Sequence, residues 1–164
     1  MRYLGALILF LASYVAYAFV FNTAWHWLNP FLISLIFIYY ISGKPLVYYS
    51  VALFFGLVLD AFAAGFGLYS LSFLLVIFMI SNLQLTIFTS KNTGTIILLT
   101  FLASIFFYIF FWLLYYLSSG EFYTLNVAIS LKMFRFVLLD TLLVVLFYVL
   151  YFNLWLKKNE RRSF

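Results

Sequence analysis

Apolar residues in this chain do not alternate with polar ones; they come in long runs broken by short polar, glycine- or proline-marked turns. Runs near 20 residues are what a helix needs to cross the hydrocarbon of a bilayer. The first covers 3–21, and its small residues Gly5, Ala6, Ala12, Ser13, Ala16 and Ala18 would admit a close neighbour. A loop over 22–29 carries Trp25, His26 and Trp27, a set suited to anchoring at the interface. Asn29-Pro30 reads as N-cap and first helical residue of a second span, about 28–42. Gly43-Lys44-Pro45 is a tight turn into a third span over 45–63. A turn over 64–67 leads to a fourth span, 68–88, and a polar turn with Lys91 to a fifth, 95–117, which carries no charge. The longest loop, 118–126, holds Glu121. The final span, 128–156, is too long for one untilted crossing, so it tilts or starts in the interface. The pattern predicts an all-α integral membrane protein: a single polytopic domain over 1–164, built as a compact bundle of six transmembrane helices.

Composition agrees. Hydrophobic residues make up 68% of the chain and charged residues 8%, against roughly 25% charged in a soluble domain. The net charge of +5 is distributed by position. Arg2, Lys44, Lys91 and the tail residues Lys157, Lys158, Arg161 and Arg162 fall on one side of a six-span topology. The positive-inside rule then places both termini in the cytoplasm. Basic residues gathered at run ends do not form a face that could track nucleic acid. Met1-Arg2 and the run behind it mimic a signal peptide, but the run extends through Phe21 and reads as a permanent helix.

The chain has no cysteine, and His26 is its one histidine. Thiolate metal sites, disulfides and thiol catalysis are excluded, and one histidine cannot build a metal site. No base accompanies a nucleophile, so the expectation is a protein that is not an enzyme and holds no cofactor.

The chemistry lies in a few charges inside apolar runs. Asp60 is fifteen residues after Pro45, about 22 Å along its helix. Arg135 is about eight residues into the last span, roughly 12 Å from its start. Their depths agree, which predicts an intramembrane ion pair between the third and sixth spans; the alternative has Asp60 snorkelling to the interface and capping the turn after it. Lys132 shares a helix face with Arg135 and is expected to snorkel. Asp140 is deeper, with Lys132, Arg135, Asn82 or Gln84 as candidate partners, or protonated beside a neighbour, since burial favours the neutral acid. Ala52, Gly56, Asp60 and Ala64 recur every four residues as a small-residue stripe, for packing within the bundle or for docking another membrane protein.

Gly56-Leu57-Val58-Leu59-Asp60, followed by Gly65-Phe66-Gly67-Leu68-Tyr69-Ser70-Leu71, resembles the signature of the bacterial rod shape-determining MreD family. Length, helix number, short loops and a basic tail are similar too. Asp140 departs from the family pattern, where an amide is more usual. The resemblance implies a non-enzymatic scaffold in the cytoplasmic (inner) membrane. It would bind an MreC-like bitopic protein and, through it, MreB and the wall synthases of peptidoglycan elongation. It also implies that Gly56, Asp60, Gly65, Gly67 and Leu68 shape the bundle near a partner helix. The runner-up is the substrate-binding subunit of an energy-coupling-factor vitamin transporter, for which Ala12-x-x-x-Ala16 would be the docking face. A flippase or small-ion carrier rests only on Asp60, Asp140 and Arg135.

Overall fold

The computed structural model describes residues 2–21, 29–62, 67–86, 93–120 and 127–151. Six helices appear among them: α1 (Arg2–Phe21), α2 (Pro30–Ser42), α3 (Pro45–Phe62), α4 (Leu68–Thr86), α5 (Thr93–Ser119) and α6 (Val127–Tyr151). Four segments are long and apolar enough to cross a membrane, namely Pro45–Phe62, Leu68–Thr86, Gly94–Ser119 and Leu131–Leu150. By length and composition the chain is a multi-pass, all-helical membrane protein. The expected anchors Trp25, His26 and Trp27, the loop residue Glu121, Lys91 and the basic tail all lie outside the described residues.

The helix limits follow local chemistry. Asn29 sits in extended conformation, and its side-chain oxygen accepts from the Leu32 N–H at 3.2 Å while Pro30 opens α2. An amide cap and a proline without an N–H together remove two of the unsatisfied donors of a helix start. Gly43, with φ 58°, ends α2 and leads through Lys44 into Pro45. Gly67 has φ 84° and supplies the carbonyl that accepts from Leu71 N–H at 3.0 Å, turning the chain into α4. A side chain at Gly67 would be strained by that backbone geometry.

The second helix departs from the expectation of a full span. It has 13 residues, about 20 Å of helix, which falls short of a hydrocarbon core about 30 Å thick. It packs against each of the other five helices, and Pro30, Phe31, Leu32, Ile33, Leu35, Ile36, Ile38 and Tyr39 are all buried. A helix enclosed by protein can end at membrane depth because its capped terminus is not presented to lipid. Consecutive helices elsewhere pair as α3–α4, α4–α5 and α5–α6, the arrangement short loops enforce.

Packing in the centre is aromatic. The Phe31 ring lies 5.4 Å from Phe55, 5.7 Å from Tyr17 and 6.1 Å from Phe10, joining α1, α2 and α3. At the Gly43 end, polar tips close the bundle. Tyr39 donates to Gln84 at 2.5 Å, Tyr40 donates to the Ile96 carbonyl at 3.3 Å, and the Tyr48 and Ser81 hydroxyls meet at 3.5 Å. Ser13 and Ser34 hydroxyls bond at 2.5 Å between α1 and α2. Outside, Leu53, Phe54 and Leu57 on α3 and Leu131, Phe134, Leu138 and Leu142 on α6 are exposed, the apolar exterior that a bilayer accepts.

Lipid is as apolar as leucine, so core truncations are felt through the void they leave rather than through transfer from water. Phe31→Ala should therefore lower unfolding stability by about 2–3 kcal/mol. Leu142→Ala, on the exterior, should stay within about 0.5 kcal/mol. Chemical unfolding in detergent micelles checks both.

Candidate functional site

Asp60 is two residues from the end of α3 and is buried. It accepts three hydrogen bonds from the first turn of α4. The Tyr69 N–H donates to Oδ1 at 2.9 Å, and the Ser70 N–H donates to Oδ2 at 3.1 Å; the Ser70 hydroxyl also donates to Oδ2, at 2.5 Å. The acid is an N-cap supplied by a neighbouring helix. Free first-turn amides and the positive end of the α4 dipole make this a place for a carboxylate.

The approach depends on Gly56, one turn before Asp60 on the same face. A Cβ built there would come within 2.6 Å of the Ser70 backbone nitrogen, and closer still to its Cα. The obstacle is backbone, which cannot rotate aside. Glycine at 56 lets α4 lie against α3; Asp60 then reaches amides that a normal interaxial spacing would leave out of range. Ala52, fully buried, continues the stripe, and Leu68 at the start of α4 is buried as well. Over Ala52, Gly56 and Asp60 the stripe is thus an internal packing surface, the first of the two readings it allowed; Ala64 lies outside the described residues. Gly65 lies outside the described residues.

The expected pairing of Asp60 with Arg135 is not what the structure contains. Asp60 is satisfied by α4, Arg135 is exposed on α6, and α3 and α6 are not packed neighbours. Equal depth placed the two residues at one level, but depth says nothing about the direction a side chain faces round the bundle. The alternative was half right: Asp60 does cap, yet it is buried and caps a helix rather than snorkelling. Lys132 is exposed, as expected.

Asp140 stands apart. It is fully buried, and neither carboxyl oxygen has a hydrogen-bond partner among the described residues. Its four candidate partners are engaged or turned elsewhere. Gln84 accepts from Tyr39, and Asn82, Lys132 and Arg135 are exposed. The buried neighbour Thr141 donates to the Val137 carbonyl at 2.7 Å, within its own helix.

Ser70 is the functional residue that sequence reasoning passed over, although it sits inside the quoted motif. The usable signal was positional: a carboxylate one short turn before a helix start faces amides that every helix leaves free. No group of three or more potential metal-ligating side chains occurs among the described residues. No family model, curated protein or solved structure matches this chain.

Two outcomes separate the cap from the ion pair. Asp60→Asn should cost about 1–3 kcal/mol of stability, because charge-assisted bonds to two amides are weakened in a buried place. Arg135→Leu should change stability by no more than about 0.5 kcal/mol. Gly56→Ala should cost about 1–3 kcal/mol through forced separation of α3 and α4. Unfolding curves of the three variants in one detergent supply the comparison.

Proposed function

We propose that this protein is a non-enzymatic membrane scaffold of the bacterial cell-elongation machinery, similar to MreD. It lies in the cytoplasmic membrane with both termini inside. It binds an MreC-like bitopic protein and so helps to organise peptidoglycan synthesis and rod shape. The observation that carries the reading is the use made of the motif. Gly56, Asp60, Gly67 and Ser70 lock α3 to α4, and the acid is consumed in that lock instead of standing free for turnover. A rigid corner with an apolar exterior suits a part whose work is to hold another membrane protein. The partner surface in this reading is the exposed side of α3, at Leu53, Phe54 and Leu57, since Ala52 is buried and Gly56 is already occupied by α4.

One observation favours the vitamin-transporter alternative: Ala12 is exposed and Ala16 half-buried on α1, so the small pair that would dock a coupling subunit is open.

Depletion in the native rod-shaped host is the test. Rounding of the cells, restored by the wild-type gene and poorly by Asp60→Leu, with an MreC-like protein recovered from cross-linked membranes, is the expected result. Unchanged shape with a new vitamin requirement would overturn the scaffold in favour of the transporter subunit.

A further inference from the structure

The two intramembrane acids occupy comparable positions and end in opposite states. Each lies at the N-terminus of a helix other than its own: Asp60 at that of α4, Asp140 at that of α2. Asp60 is closed, with three donors. Asp140 is open. It is 0% exposed, with both oxygens unpartnered among the described residues, and lies close to the Asn29 backbone at the start of α2. Asn29 is itself buried, 7% exposed, because α2 begins inside the bundle.

Among the described residues the surroundings supply no counter-charge. On α2 the polar group beside Asp140 is the Asn29 amide, and on α5 the titratable group within its electrostatic reach is the Tyr108 phenol. On α6 itself the charged residues are Lys132 and Arg135, both exposed. The hydroxyl of Thr141, next to Asp140 in the chain, donates to the Val137 carbonyl of its own helix at 2.7 Å. An ionised carboxyl without donors or a cation is not sustained in such an interior; it becomes neutral instead.

We propose that Asp140 is a proton-binding site: its carboxylate takes a proton from water and holds it at the start of α2, inside the bundle. The competing group is the first turn of α2. Its amides and dipole favour a negative charge. Against that pull stands the cost of a buried charge with no completed hydrogen bond. This stands independently of the scaffold reading.

The chain has only four Asp and Glu residues, so assignment by spectroscopy is practical. The full-length protein in lipid nanodiscs at neutral pH should show the infrared carbonyl stretch of a neutral carboxylic acid, shifted in D2O. The band should vanish in Asp140→Asn and persist in Asp60→Asn. Asn imitates the neutral acid in shape, so Asp140→Asn should keep its thermal midpoint within about 2 °C of wild type. Should that variant fail to fold, wild-type protein treated with dicyclohexylcarbodiimide, which reacts with neutral carboxyls in apolar surroundings, should carry the adduct on Asp140 and not on Asp60. Absence of the neutral-acid band in wild type overturns the proposal. So does a band that survives Asp140→Asn, a midpoint in that folded variant lowered well beyond the stated margin, or adducts that spare Asp140.

Discussion

A carboxylate placed against the first turn of an antiparallel neighbour is the contact on which this bundle depends. Asp60 lies close to the C-terminal end of α3, where its own helix dipole is unfavourable to negative charge. It is tolerated there because α4 starts alongside and presents the opposite end of a dipole, together with free amides. The residues around it serve that meeting. Gly56 removes the atom that would hold the helices apart, Gly67 turns the chain at the required point, and Ser70 adds a hydroxyl to the two amides.

The second organising feature is a helix too short for the membrane it sits in. Because α2 is surrounded, its start need not reach the interface, and its cap can be an asparagine buried among apolar side chains. That geometry introduces polar backbone at a depth where a lipid-facing helix could have none. Asp140 is buried beside this start, and its oxygens, unpartnered among the described residues, contrast with the filled ones of Asp60.

Much of this was readable from residues alone. Helix number and limits followed from apolar runs and from Asn29-Pro30, Gly43 and Pro45, because capping and turn chemistry are local. The importance of Asp60 was also legible, since an acid in such a run needs an explanation. Its partner was not. Sequence inspection matches side chains with side chains, whereas Asp60 is met mainly by backbone amides, which no residue type advertises. Depth along a helix can be counted; azimuth round a bundle cannot, and so Arg135 was misassigned. The enclosure of α2 was hidden for a similar reason. An apolar run of 13 residues reads the same whether protein or lipid surrounds it, and only the assembled neighbours distinguish the two.

The meeting of Gly56 with Ser70 also bears on which parts of the molecule can move. With main chain against main chain and a carboxylate clasping the adjoining amides, α3 and α4 cannot slide past one another by a residue without losing every one of these contacts. They travel as a single body. α1, by contrast, meets α2 and α3 through aromatic faces such as Phe10, Tyr14 and Tyr17, with the Ser13–Ser34 bond as its hydrogen-bonded tie to α2. The clasped hairpin is thus held by main chain and charge, whereas α1 is held by rings and a hydroxyl pair.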